Sequence, residues 1–171
     1  MYTPINGFVE DYHELKGYLL ENGQISLENN VENHLKKVML LSCASYYETQ
    51  IQEIIKSFVQ RNSTDDKVSN FVLNKAISRQ YHTYFTWDGN NVNSFLGLFG
   101  EEFKKEVSAI ISQDEVLKEQ MKAFLQLGNE RNKMVHENFL VYNLEKTFDE
   151  IIQMNEKSGK FVEFLRKEFA K

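Results

Sequence analysis

Proline is almost missing from this 171-residue chain, which has one (Pro4) and only eight glycines. From Ile5 onward nothing carries proline's ring clash and missing donor, so long helices are unopposed. A single cysteine, Cys43, excludes an internal disulfide and reads as a small buried residue in a reducing compartment, the cytoplasm. No apolar run exceeds about four residues, as at Val38 to Leu41, against the roughly 20 needed to cross a bilayer. Met1-Tyr2-Thr3-Pro4-Ile5-Asn6 has no basic flank followed by an apolar stretch, so no secretory leader is expected. Excess positive charge is also lacking: 20 Lys and Arg face 25 Asp and Glu, for a net charge of −5. A nonspecific nucleic-acid binder gains affinity from displaced counterions and is usually basic. Any role on RNA or DNA must therefore use a local patch or a small, chemically specific site.

What the chain does have is helical spacing. It is 42% hydrophobic and 26% charged, an ordinary globular balance, and its apolar residues recur at helical intervals. Helices are expected over about 8–21, stopped by Asn22-Gly23, and over about 27–61, with Ser26 as N-cap. The first presents Phe8, Tyr12, Leu15, Tyr18 and Leu19 on one side. The second carries a stripe that includes Val38, Met39, Ser42, Tyr46, Ile51, Ile54 and Ile55. A polar run at 62–66 caps a third helix over about 67–85. A turn cluster at 87–91 and a short amphipathic piece at 92–99, broken by Gly100, form an insert at 86–100. Helices over about 101–112 and 114–135 follow, and a capping box from Thr147 to Glu150 opens the last, at about 148–169. The expectation is one all-α domain over 1–171, with the N-terminal helix in 1–25.

Candidates for chemistry are few. No His-Glu-x-x-His, paired Cys/His spacing, Asp-rich calcium loop or Gly-rich phosphate loop occurs, so no metal and no cofactor is expected. One stretch stands apart: Gly128-Asn129-Glu130-Arg131-Asn132-Lys133-Met134-Val135-His136-Glu137-Asn138-Phe139. On an ideal helix Asn132 and His136 share a face, with Arg131 about 100° from Asn132. An imidazole can take the proton from a ribose 2′-hydroxyl or return one to the leaving oxygen. A guanidinium can hold nonbridging phosphate oxygens as negative charge builds. Spacing alone is weak evidence, because four arginines and four histidines give roughly 0.3 such pairs by chance. In the competing structural reading Arg131 pairs with Glu130 or Glu137 and His136 caps a helix end.

The run Arg131-Asn132-x-x-Val135-His136-x-Asn138-Phe139 resembles the signature of the HEPN superfamily of ribonucleases. Ala44-Ser45-Tyr46-Tyr47-Glu48-x-x-Ile51 is similar to the aromatic-plus-glutamate patch of its RiboL-PSP branch. So is the block Arg79-Gln80-Tyr81-His82-x-Tyr84-Phe85-x-Trp87, followed by Asn93 to Gly100. The resemblance spans about residues 30–165 and implies an up-and-down four-helix core with additional short helices. It assigns Arg131 and His136 as the catalytic pair, Asn132 as the polar neighbour and Glu48 as a helix acid near the cleft. It further implies a homodimer whose motifs meet across one groove, cutting RNA without metal to a 2′,3′-cyclic phosphate and a 5′-hydroxyl. Members often act as toxins or anti-phage effectors restrained by an antitoxin or other partner protein.

Lys133, Asn138 and Tyr47 are the expected RNA contacts, one of Tyr46 and Tyr47 facing the core and the other the groove. Lys36 and Lys37 read as solvated or as part of an RNA path. His82 reads as a histidine within an aromatic cluster or as a base-stacking partner. No membrane contact is expected. The alternative functional reading is a catalytically silent dimeric subunit of the same fold that binds or regulates a partner.

Overall fold

The computed structural model describes residues 4–171; Met1, Tyr2 and Thr3, read above for a leader, lie outside the described residues. The chain runs through α1 (Pro4–Glu21), α2 (Ile25–Asn62), α3 (Asp66–Val72), α4 (Tyr81–Tyr84), α5 (Asn93–Gly97), α6 (Glu101–Gln113), α7 (Glu115–His136) and α8 (Phe148–Ala170). Among the described residues there is no strand, and no helix is long and apolar enough to cross a membrane. The protein is all-α.

The long helix α2 is the spine. It starts from Gln24 rather than Ser26, because Gly23 takes a left-handed turn at φ 68 and brings the chain into helix two residues sooner than expected. Its first half holds α1, where Lys16 bridges to Glu32 at 2.7 Å and to Glu28 at 3.5 Å. Tyr12 of α1 stacks on Phe148 at the start of α8, with ring centroids 3.6 Å apart. Of the expected α1 stripe, Tyr12 and Leu19 are buried, whereas Leu15 and Tyr18 are exposed. The second half of α2 packs against α7 and α8. Along α2, Met39, Cys43, Ile51, Ile54 and Ile55 are buried as expected, but Leu40, Ala44 and Tyr47 join them while Val38 and Ser42 face out.

The C-terminal helices begin where their caps place them. Asp114 accepts from the Leu117 amide at 3.0 Å to open α7. Thr147 and Glu150 exchange both bonds of the capping box that opens α8. Fully buried Phe95, Phe124, Phe148 and Phe161 help to fill a contiguous core among α2, α5, α7 and α8.

The helix expected over 67–85 is not continuous. Asp65 caps α3 through the Lys67 amide, but after Val72 the chain widens into a π turn at Leu73–Ile77 and reverses through Ser78, Arg79 and Gln80. Arg79 is the one non-glycine residue with positive φ among those described, at 62°, a conformation that costs a side-chain-bearing residue about 1–2 kcal/mol. Burial of the aromatic residues beyond it accounts for the break. Tyr84, Phe85 and Trp87 turn inward onto Phe95 and Phe124, and the Tyr84 hydroxyl donates back to the Ala76 carbonyl. A straight helix would have left part of that apolar surface in water.

Candidate active site

One side of α7 carries Gly128, Arg131, Asn132, Val135 and His136, which fall within a single arc of helical spacing. Across from them stand Ala44 and Glu48, one turn apart on α2, and the reversal before α4 adds Arg79, Tyr81 and His82. With Trp87 these residues enclose a cavity of about 490 Å³. Trp87 is held from both ends. Its indole N–H donates to the His82 carbonyl at 3.1 Å, and its six-membered ring lies against the backbone of Gly128. The lone glycine inside α7 is thus the space that the indole fills.

The arginine and histidine of the motif face this common cavity, and neither is used up by the fold. The Arg131 guanidinium donates to Asn132 Oδ1 at 3.0 Å and has no carboxylate within ion-pair distance among the described residues. The pairings with Glu130 or Glu137 weighed from the sequence do not form. Glu130 instead accepts from the Tyr142 hydroxyl at 2.7 Å and pairs with Lys133 at 3.2 Å. The exposed His136 ring has no hydrogen-bond partner among the described residues. Glu48 is the single carboxylate on the lining and accepts one long bond from Gln52, at 3.4 Å.

Tyr81 packs its ring against Tyr84, Phe85 and Trp87. Burial pushes its phenol well above the usual range, with Glu48 adding to the shift and Arg131 opposing it. The two motif-bearing helices therefore meet electrostatically at this ring. Two guanidiniums face one carboxylate here, a local excess of positive charge in a chain of net charge −5.

The segment after His136 is pinned by a lysine from α2. Lys37 is buried, donates to the Phe139 and Leu140 carbonyls at 2.9 and 3.4 Å, and lies over the Phe139 ring. It is therefore neither solvated nor on an RNA path, the two roles its sequence suggested. Asn138 turns its Oδ1 onto the Leu140 amide and is exposed. Lys133 is exposed beside Glu130, off the cavity lining.

The expectation that Tyr47 faces the groove is corrected by the structure. Tyr47 is 3% exposed, its hydroxyl lies 2.6 Å from the Asn155 carbonyl and 2.8 Å from Asn155 Oδ1, and burial raises its pKa far above the usual value. Position 47 points at α8, and Tyr46 is the less buried of the pair. Sequence reasoning quoted Arg79, Ala44 and Gly128 within the stretches it singled out but gave none of them a role in a site. A glycine in the middle of an otherwise unbroken helix was the one available signal for close approach. Among the described residues no group of three or more His, Cys, Asp or Glu side chains is arranged to hold a metal ion.

An all-helical chain that directs an arginine with no ion-pair partner and a histidine from one helix into one cavity has the build of a HEPN domain, a class that includes many ribonucleases. The chain belongs to the RiboL-PSP-HEPN family, whose model matches residues 8–171. Membership supports a nuclease or other RNA-related function at the level of the family. No curated protein and no solved structure matches the chain.

Proposed function

We propose that the chain is an endoribonuclease that cleaves single-stranded or structured RNA by attack of the ribose 2′-hydroxyl. The neutral imidazole of His136 takes the 2′-hydroxyl proton, and the 2′-oxygen forms a bond to phosphorus. The 5′-oxygen then leaves with the bonding pair and receives the proton back from the imidazolium. The products are a 2′,3′-cyclic phosphate and a 5′-hydroxyl. Arg131 binds the nonbridging oxygens, where charge grows in the transition state, and Asn132 holds that guanidinium in place. Glu48 supplies the acceptor that orients the nucleotide or the cationic groups around it. Every proton and charge in this scheme is handled by side chains, so the chemistry needs no metal. Lys133 and Asn138, exposed at and beyond the end of α7, extend the RNA path outside the cavity.

The observation that carries the reading is that Arg131 opens into the cavity shared with His136 with no carboxylate within ion-pair distance among the described residues. A guanidinium serving the fold would be paired. The exposed apolar side chains of Val135, Leu140 and Val141, flanking His136, favour a second copy of the chain as partner across this face. We place the enzyme in the cytoplasm as a toxin or anti-phage effector restrained by a partner protein.

The test is incubation of the purified protein with single-stranded RNA in EDTA beside His136→Ala. Cleavage should fall by about 10²–10⁴-fold in the variant, the usual contribution of a general base, and the 5′ fragments should end in 2′,3′-cyclic phosphate. No cleavage, or equal cleavage by both proteins, overturns the enzyme and leaves the silent binding subunit.

A further inference from the structure

The reversal between α3 and α4 brings into the cavity a residue that the proposed chemistry does not use. Arg79 lines the same space as Arg131 and His136. It is exposed and has no ion pair or side-chain hydrogen bond among the described residues. Its backbone sits at φ 62, where glycine or asparagine would rest with less strain. The fold therefore bears strain at an arginine whose side chain makes no ion pair or hydrogen bond among the described residues. Strained residues of this kind collect at binding and catalytic sites, where the side chain has a use that packing does not supply.

The charge balance points to what that use is. Arg79 and Arg131 are two unneutralised guanidiniums on one lining, where Glu48 is the only acid. Like charges lining one cleft repel less when an anion lies between them. A guanidinium grips phosphate through two parallel N–H bonds. A cavity of about 490 Å³ is in the range that holds a ligand of nucleotide size rather than one small anion.

We infer that Arg79 is a second phosphate-gripping residue of the cleft. Arg131 takes the scissile phosphodiester and Arg79 takes the phosphate of an adjoining nucleotide, so the cavity of one protomer engages two phosphates of a single RNA strand. This rests on the reading of the cavity as an RNA site, but its test does not depend on cleavage.

The probe is a fluorescein-labelled 2′-O-methyl oligoribonucleotide, which has no free 2′-hydroxyl and is not cut by this route, titrated by anisotropy at several salt concentrations. In Arg79→Gly the glycine keeps the left-handed backbone while the guanidinium is lost, and Arg79→Asn is a second neutral residue suited to that conformation. Both variants should melt at or above the wild-type temperature and bind about tenfold more weakly at low salt. The slope of log K against log salt should become shallower by about 0.7, the loss of one phosphate contact on a single strand. Arg79→Lys should recover the salt slope but only part of the affinity. Unchanged affinity and slope in folded Arg79→Gly and Arg79→Asn would overturn the assignment while leaving the nuclease reading intact. A wild-type chain that binds the probe but cuts no RNA would overturn the nuclease reading and leave Arg79 to be judged by these titrations. No binding by the wild-type chain overturns the Arg79 assignment, and the nuclease reading is then decided by cleavage of unmodified RNA in EDTA.

Discussion

The six-membered ring of Trp87 occupies the volume where any residue other than glycine at position 128 would place its Cβ. This contact joins the turn at 86–91 to the helix that bears Arg131 and His136, and it forms part of the cavity lining. Gly128→Ala therefore has to expel the indole. Overpacking of this kind costs about 1–3 kcal/mol, which for a chain of this length lowers the melting temperature by roughly 2–4 °C per kcal/mol. Trp87 is the only tryptophan, so its emission should shift to the red in the same variant. An unshifted spectrum with unchanged melting would show that the ring is not seated there.

Lys37 holds the segment beyond His136 through two backbone carbonyls. Lys37→Ala leaves both acceptors to find water and should cost about 1–3 kcal/mol. Hydrogen exchange should rise over residues 138–142, whose amides are otherwise protected by turns such as Tyr142 to the Asn138 carbonyl. Exchange that rises equally over α8 would mean a global rather than a local role.

Arg131→Lys keeps the positive charge and removes the planar fork. If the fork acts on the transition state, RNA cleavage should drop about 10²-fold, the scale for losing one preorganised donor, while the circular dichroism spectrum stays unchanged. Equal rates would reduce Arg131 to a point charge.

Tyr47→Phe separates a core tyrosine from an RNA-facing one. Loss of the hydroxyl contacts to Asn155 should lower stability by about 0.5–1.5 kcal/mol and leave affinity for the 2′-O-methyl probe unchanged. Weakened binding with full stability would return Tyr47 to the groove.

Alkali should unfold the protein through its buried acids. Burial pushes the Cys43 thiol up to about 12 from the usual 9.0 and the Tyr84 phenol up to about 12 from 10.0, and it raises Tyr47 and Tyr81 further. Each group holds its proton more tightly folded than unfolded. Their contribution is complete below about pH 9 and is lost as pH climbs, because the unfolded chain then releases protons that the native chain keeps. At the acid end the sign reverses. Glu32, held below the usual carboxylate range by Lys16, contributes above about pH 4.5 and loses that contribution as pH falls. Melting temperatures across this range should form a plateau with two falling shoulders, and a flat profile from pH 9 to 11 would contradict the burial of these groups.

Much of the bundle was legible in the sequence because local signals and tertiary structure agree there. Gly100, Asp114 and the Thr147–Glu150 box mark the ends of α6, α7 and α8 within a residue or two of where they lie. That Arg131, Asn132 and His136 share one cavity lining was legible because a single helix presents all three. Two things were not legible. The break at 73–80 contains neither proline nor glycine, so helical periodicity runs straight through it, and it exists because Tyr84, Phe85 and Trp87 gain more by turning inward than the helix loses. Which of Tyr46 and Tyr47 meets the core was also hidden. α2 packs against α1, α7 and α8, so no single stripe runs its length. Arg79 owes its place in the cavity to that break, so the sequence offered the residue within a resembling block but not its position.

Cys43 is fully enclosed in α2 and adjoins Ala44, which lines the cavity. The only thiol in the chain is thus a built-in clock for the wall behind the cleft. A sulfhydryl reagent can reach it only when that stretch of α2 opens, so the labelling rate counts openings, and an oligonucleotide seated in the cavity should slow the count.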